Sequence, residues 1–260
     1  MSRISSREKT ILAAIIALAA FLRFHRLDEI PPGFQFDQAY YVFDAIFLLR
    51  GDFFIFFRDP GRSEPLFQYL LMPFVALFGG DTPLGPKVTA GIIGVATIFL
   101  IYGITRALFR STRVALLAAL FAAISFWHIF YCRYGERIPL TLFLATLTFW
   151  FFWRALTHPS TIAQDAPRAT LHASRFTQYA FTGIFTGLTL YTYPSGRVVP
   201  IALVLLTAYA ALTDRARATY YVKGLALAGI IATIVFLPLG IYYLQHPIDF
   251  ISHTADVSIF

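Results

Sequence analysis

The chain has 260 residues, of which 58% are hydrophobic and only 13% are charged. A soluble domain of this size carries about a quarter charged residues, so the composition excludes an ordinary soluble protein. Long uncharged stretches recur along the sequence, which is typical of a polytopic membrane protein embedded in a lipid bilayer. The net charge of +7 therefore indicates membrane topology, and no nucleic-acid partner is predicted. The single cysteine, Cys132, excludes an internal disulfide.

The first predicted span covers residues 10–27 and follows the basic segment MSRISSREK. A signal peptide is the alternative, but no small-residue cleavage site comes after the apolar run. We therefore predict an uncleaved helix, with the Arg23 side chain extending along it toward the membrane interface.

A loop rich in aromatic and acidic residues occupies positions 28–87. Residues 37–50 have helical spacing, with Asp37 and Asp44 on one stripe and apolar side chains on another. Gly51 stands where a glycine commonly ends a helix. Such an amphipathic helix suits the membrane surface, and we expect Asp44 to lie on its solvated face.

The next apolar stretch, at residues 65–79, is too short to cross a membrane. A helix of this length extends only ~22 Å at ~1.5 Å per residue, whereas the hydrocarbon core is ~30 Å thick. We predict a second helix that lies at the interface.

The rest of the chain contains further spans. Residues 178–212 are too long for one span and are divided at Pro194 and Gly196, which gives two helices. The four other predicted spans are residues 88–108, 114–131, 138–155 and 224–244. The predicted fold is an all-α polytopic membrane protein with about seven transmembrane helices and two juxtamembrane helices in the first outer loop.

The distribution of charge predicts the sidedness. With the N-terminus inside, the inner segments hold 12 of the 21 basic residues and three of the 14 acidic ones, as the positive-inside rule requires. The outer segments are then the first loop and residues 131–139, 191–197 and 245–260. We predict an integral plasma-membrane protein with a cytoplasmic N-terminus and an extracytoplasmic functional face.

This topology brings carboxylates of the first loop and arginines of later loops to one face. Arginine suits a phosphate because its planar group donates two hydrogen bonds and stays charged. Ionisable groups near a membrane are typically functional or paired. The sequence therefore predicts a site for an anionic lipid headgroup.

The order of the motifs resembles the C-type glycosyltransferases, specifically the protein O-mannosyltransferases and bacterial aminoarabinose transferases. Where that family has an Asp-Glu motif, this chain has FDQAYY. At the position of the family's second juxtamembrane helix, it has the similar segment SEPLFQYLL. This chain also has a segment that resembles the family's third span and Ser-Arg segment, FRSTRVALLAALFAAISFWHIFYCRYGER. Later signatures of bacterial members are similar to YTYPSGRVVP and HPIDFISHTADVSIF.

The resemblance covers nearly the whole chain and implies a single membrane domain over residues 1–260. It comprises the first span at 10–27, the loop at 28–87, the spans within 88–244 and the start of an outer loop at 245–260. Relatives continue through further helices, so we expect the chain to be truncated at its C-terminus.

The resemblance implies transfer of a sugar from a polyprenyl-phosphate-linked donor to a protein, lipid or glycan acceptor, with inversion at the anomeric carbon. Asp37 matches the first acid of the family's pair and is the candidate general base, while Gln38 replaces the usual glutamate. Glu64 matches a carboxylate at the head of the second surface helix in aminoarabinose transferases. Glu64, Tyr41 and Tyr193 are the candidate substrate contacts.

The candidate ligands of the donor phosphate are Arg133, Arg137 and Arg197. Arg133 matches the Ser-Arg position of the family, with Cys132 where serine is usual. The transferred group is a hexose or a pentose. We expect no cofactor, because no histidine and carboxylate cluster has ligand spacing, and a divalent metal stays open as an alternative.

Each candidate has a structural alternative. Asp37 can cap its helix, and Glu64 can be a first-turn acid behind a Ser63 cap. Arg133 and Arg137 can pair with Glu136 or bind ordinary anionic lipid.

Arg197 can simply anchor a turn, and His128 on an apolar span is interpreted as a helix–helix contact. The alternative functions are a lipid or solute transporter, a scramblase, and a non-catalytic remnant of the transferase. The sequence has no internal repeat, and its ionisable residues gather at one face instead of the midplane, which favours the transferase.

Overall fold

The computed structural model describes residues 5–58, 62–157 and 168–256. Residues 59–61 of the predicted first loop and 257–260 of the last outer segment lie outside this description. The described residues form α-helices and short connections, with one isolated antiparallel bridge between Phe57 and Ser63. The all-α prediction is confirmed. The helices are α1 (Ser6–Phe24), α2 (Phe36–Leu49), α3 (Leu66–Phe78), α4 (Leu84–Phe109), α5 (Thr112–Ile124), α6 (Phe126–Arg133), α7 (Ile138–Thr157), α8 (Arg168–Thr189), α9 (Val198–Thr213), α10 (Ala218–Gln245) and α11 (Pro247–Asp256).

The predicted surface helices are α2 and α3, which pack against each other, and α3 also packs against α4. Gly51 follows the last turn of α2 at φ +98°, a left-handed value that favours glycine, so it ends the helix as predicted. Apolar side chains of both helices join α4 and α7 in one core. That core consists of Tyr41, Val42, Ala45, Phe67, Leu71, Val75, Ala90, Leu140 and Leu144.

By length and composition, four segments of the described chain can cross a membrane. These are α4, α7, α9 with the turn before it, and α10. The helices α5 and α6 form a fifth when taken as one span, but they are bent by 50° at Ser125. The remaining two predicted spans correspond to α1 and α8. Both lie against spanning helices, α1 against α4 and α8 against α7 and α10.

The bend between α5 and α6 is stabilised by Arg23 of α1. Its Nη1 donates to the carbonyls of Ala19 at 2.9 Å and Ala123 at 3.1 Å, and Nη2 lies 2.6 Å from Nδ1 of His128. The Ala123 carbonyl belongs to the last turn before the break, where helical acceptors lose their partners. The prediction that Arg23 reaches the interface is wrong, because the side chain is fully buried and binds these interior groups.

Close packing around Arg23 depends on Gly94 of α4. A Cβ added at Gly94 would overlap Sγ of Cys132 and lie 3.1 Å from Nε of Arg23. At the far end of α1, Glu8 pairs with Arg106 at 3.1 Å and accepts a hydrogen bond from Tyr102, which ties α1 to α4.

Gly94→Ala is expected to destabilise the protein by about 1–3 kcal/mol, the usual cost of overpacking a tight core. Adding Cys132→Ala should recover part of this loss, because it removes the overlapping sulfur. Gly229→Ala in α10 is the matched control, since a Cβ there meets nothing within 4 Å. Thermal unfolding in detergent measures all four proteins. Equal midpoints for Gly94→Ala and Gly229→Ala would contradict the close approach.

Candidate functional site

A polar cavity of about 330 Å³ opens at the end of the bundle where α6 finishes and α2 begins. Of the residues predicted for the site, Asp37, Tyr41, Arg137 and Tyr193 line it. The other lining residues are Gln35, Arg62, Phe130, Tyr131, Glu136 and Ile138. The fold thus brings together one carboxylate of the first loop, one arginine of the segment before α7 and one tyrosine of the turn before α9.

Asp37 lies in the first turn of α2, with an exposed side chain. It does not cap the helix, because the N-cap is Gln35, whose backbone N–H donates to Oε1 of Gln38 at 3.0 Å. The structural alternative of Asp37 as an N-cap is therefore wrong. A carboxylate in the first turn is stabilised by the helix dipole and remains available to a ligand in the cavity.

Glu136 is a second carboxylate of the cavity, and its sequence context predicts only a pairing with arginines. Its Oε2 accepts a hydrogen bond from Tyr41 at 3.2 Å, and only 7% of the residue is exposed. Burial raises the pKa of Glu136 to about 7, and the negative charge of Asp37 acts in the same direction. An acid between two arginines in the run RYGER is typical of a surface ion pair, which is why the sequence did not single it out.

Arg137 faces both the cavity and Glu64. Its Nη1 donates to Oε2 of Glu64 at 2.9 Å, and both side chains are buried. Its guanidinium carbon lies 4.9 Å from the ring centroid of Tyr193, within the range of a cation–π contact. Within the described residues, the buried Nε of Arg137 has no hydrogen-bond partner.

Glu64 joins three parts of the chain behind the cavity. Besides Arg137, its Oε1 contacts Nη2 of Arg197 at 3.4 Å and accepts from the hydroxyl of Tyr243 at 3.3 Å. Glu64 precedes α3, whose N-cap is Pro65, so it is an ion-pair partner and not a first-turn acid. Oγ of Ser63 lies 2.6 Å from the Gln68 amide instead of capping the helix.

Arg197 lies in the short 3₁₀ turn Pro194–Arg197, where the proline and glycine divide α8 from α9 as predicted. Its Nη1 donates to the Phe250 carbonyl at 2.7 Å, and its guanidinium carbon lies 4.0 Å from the Phe250 ring centroid. Arg197 therefore connects Glu64 to α11, and it does not line the polar cavity.

Arg133 does not reach the cavity. Its two terminal nitrogens donate to backbone carbonyls in the last turn of α1 and in the connection that follows it. The acceptors are Leu22 at 3.1 Å, Arg23 at 3.4 Å, His25 at 3.0 Å, Arg26 at 3.4 Å and Ile30 at 2.5 Å. The buried Lys87 donates to the same segment, at 2.6 Å to the Pro31 carbonyl. These two cations hold the connection between α1 and α2.

Two further residues differ from expectation. Arg62 lines the cavity with an exposed side chain, although no motif marked it. Asp44 is 2% exposed and not solvated, because the stripe that carries it packs on α3, where the Gln68 amide lies 3.4 Å from its carboxylate. Burial raises the pKa of Asp44 to about 7.

A second cavity of about 240 Å³ lies between α8, α9 and α10. Its walls are largely apolar and include Leu190, Leu203, Leu225 and Phe236. Within the described residues, no group of three or more histidine, cysteine, aspartate and glutamate side chains is placed to hold a metal ion.

The raised pKa of Glu136 predicts a pH-dependent stability. The folded value, about 7, lies above the ordinary 4.5, so the stabilisation is complete below pH 4.5 and is lost as the pH rises through 7. Glu136→Gln cannot ionise, so its thermal midpoint should rise relative to the wild type by several degrees between pH 5 and pH 8. Glu29→Gln, at an exposed position, is the control and should show a constant difference. Parallel curves for Glu136→Gln and the wild type would contradict the burial of this carboxyl group.

A family model described as dolichyl-phosphate-mannose-protein mannosyltransferase matches residues 60–164. The match begins before α3 and includes Glu64, Arg133, Glu136 and Arg137. None of the curated proteins matches the chain in sequence.

Three solved structures have similar folds. The archaeal oligosaccharyltransferase AglB from Archaeoglobus fulgidus, in complex with an inhibitory peptide and a dolichol-phosphate, has a TM-score of 0.72 at 17% identity, over 90% of this chain and 29% of its own. The S. cerevisiae protein O-mannosyltransferase Pmt1-Pmt2 complex, bound to the sugar donor, has a TM-score of 0.67 at 17% identity, over 99% of this chain and 35% of its own. ArnT from Cupriavidus metallidurans, bound to undecaprenyl phosphate, has a TM-score of 0.65 at 16% identity, over 94% of this chain and 43% of its own.

The chain thus spans between 29% and 43% of the length of these proteins. Their low sequence identity shows a common fold, and the family model adds a sequence match across α3 to α7. The resemblance predicted from the motifs is confirmed at the level of the fold: the chain shares the helical fold of these three proteins, and its residues 60–164 match the mannosyltransferase family model.

Proposed function

We propose that this chain forms the catalytic module of a membrane glycosyltransferase, which transfers a sugar from a polyprenyl-phosphate-linked donor to an acceptor. The observation that carries the proposal is the polar cavity, in which Asp37 and Glu136 lie with Arg62 and Arg137. Carboxylates and guanidinium groups around one opening match a reaction that takes a proton from one partner and leaves negative charge on the other. The ligands named for the similar structures, a dolichol-phosphate, a sugar donor and undecaprenyl phosphate, support the same class of donor.

The proposed step is a single displacement. The acceptor oxygen forms a bond to the anomeric carbon while the bond from that carbon to the phosphate oxygen breaks, which inverts the anomeric configuration. The acceptor proton goes to the Asp37 carboxylate, and the electron pair stays on the lipid phosphate. Asp37 suits the base because its side chain is exposed to the cavity, whereas Glu136 is buried and held by Tyr41.

Arg137 is the best-supported ligand of the donor phosphate. It lines the cavity, and its guanidinium group stays charged and can donate two parallel hydrogen bonds to a phosphate. Arg62 adds an exposed positive charge at the same opening. Arg197 is half-buried behind Glu64, so it supports the site through that carboxylate. The carbonyl contacts of Arg133 assign it to holding the connection between α1 and α2.

The apolar cavity between α8, α9 and α10 suits the first isoprene units of the donor. Arg197 stands at the start of α9, and Pro200 and Leu203 of that helix line the cavity. A lipid chain lying there has its phosphate near the Arg197 end of the bundle. Positive-inside charge favours an extracytoplasmic location of this end in the plasma membrane, with a hexose or pentose as the transferred group.

Asp37→Asn in the full-length protein is expected to lower transfer by about 10²–10⁴-fold, because the amide cannot accept the acceptor proton. Expression and binding of the lipid-linked sugar should be largely retained, since Asp37 caps nothing in the fold. The measurement is release of free lipid phosphate from labelled polyprenyl-phosphate sugars in proteoliposomes.

Asp52→Asn is the matched control, because Asp52 is exposed in the same loop just after α2. Its transfer rate should equal that of the wild type. Wild-type turnover by Asp37→Asn would remove Asp37 from the mechanism. Absence of release by the wild-type protein with every lipid-linked sugar tested would argue against the transferase itself.

A further inference from the structure

Gln38 stands directly beside the proposed base and is fully buried. Both ends of its amide are used. Oε1 accepts from the backbone N–H of Gln35 at 3.0 Å, and Nε2 donates to the backbone carbonyl of Tyr134. The first bond closes the N-terminal turn of α2, whereas the second crosses to the segment between α6 and α7.

The Tyr134 carbonyl is a fixed point, because the chain around it is held on two sides. Arg133, the residue before it, donates to carbonyls in the last turn of α1 and just after that helix. Gly135, the residue after it, has φ +64° and packs directly on α4, where an added Cβ would lie 2.7 Å from the backbone carbon of Pro86. The Gln38 bond therefore ties the helix of Asp37 to the short segment that also carries Glu136 and Arg137.

The bond has a strict chemical requirement. Glutamine offers one acceptor and one donor, which match the Gln35 N–H and the Tyr134 carbonyl. An ionised glutamate offers only acceptors, so one oxygen would face the Tyr134 carbonyl without a proton between them. A protonated glutamate again has a donor and an acceptor in the same shape. The position thus needs a neutral group, although the resembled family usually has glutamate there.

We infer that Gln38 is a positioning residue, whose amide sets Asp37 opposite Glu136 and Arg137 by bonding to Tyr134. Its effect on transfer rests on the proposed function, whereas the bond itself does not. The charged and titratable groups beside the two ends of this bond in the chain are Asp37 and Tyr41 on α2, Arg133 at the end of α6, and Tyr134, Glu136 and Arg137 before α7. Lys87 of α4 adjoins the same segment, because its backbone nitrogen lies at the close contact with Gly135.

The test is Gln38→Glu in the full-length protein, purified at pH 5 and assayed between pH 5 and pH 8. Burial and the neighbouring carboxylates raise the pKa of the introduced group above the ordinary value for glutamate, about 4.3. The variant should therefore match the wild type near pH 5 and lose stability as the pH rises through that raised value. Transfer, expressed as the ratio to wild type at each pH, should fall at least tenfold from pH 5 to pH 8.

Two controls isolate the bond. Gln245→Glu makes the same chemical change at an exposed position at the end of α10 and should follow the wild type at every pH. Gln38→Met removes the donor without adding charge, so its transfer ratio should be low and independent of pH. A recovery that is specific to Gln38→Glu at low pH is a result that general loss of packing would not produce.

A thermal midpoint of Gln38→Glu that differs from wild type by the same amount at pH 5 and pH 8 would overturn the bond. A midpoint that recovers at pH 5 without recovery of the transfer ratio would overturn the positioning role. Failure of the wild type to release lipid phosphate would count against the proposed function alone, and the midpoints would still decide the Gln38–Tyr134 bond.

Discussion

The buried carboxylate of Glu64 is the interaction on which the geometry of this site depends. It binds Arg137 from the segment before α7, Arg197 from the turn before α9 and Tyr243 from α10. Removing one member of a buried ion pair leaves an uncompensated charge and is strongly destabilising. Glu64 therefore holds three distant segments together, and one of them carries Arg137 to the wall of the polar cavity.

The arginines at this end of the bundle have separate tasks, although the sequence presents them as equivalent. Arg133 donates to main-chain carbonyls, Arg197 pairs with Glu64 and reaches α11, and Arg137 pairs with Glu64 while facing the cavity. A guanidinium group has five N–H donors in a planar arrangement, so one residue can hold the fold and still present a donor to a ligand. Arg137 alone of these three also lines the cavity.

The sequence predicts the helices well, because uncharged length and turn residues decide where α4, α7, α9 and α10 run. It does not predict the break at Ser125, since no proline or glycine marks it. The nearby Ala123 carbonyl instead accepts a hydrogen bond from Arg23, which lies 100 residues earlier in the chain. The helical spacing predicts a solvated Asp44, because it defines a stripe of side chains but not the helix that covers that stripe. The sequence does not predict the burial of Glu136 for the same reason, since its contact with Tyr41 depends on how distant segments pack.

The charges around the cavity suit the proposed reaction in its later stage. Glu64 with Arg137 and Arg197 carries one net positive charge, and Arg62 balances the charge of Asp37, while a Glu136 whose pKa is about 7 is partly protonated near neutrality. A sugar phosphodiester bears one negative charge, and the phosphate gains another as its bond to the sugar breaks. Cations fixed before the reaction stabilise that developing charge without reorganising. The same cations bind the starting donor less strongly than the transition state, which carries more negative charge on the phosphate. This difference in binding lowers the activation barrier of the transfer.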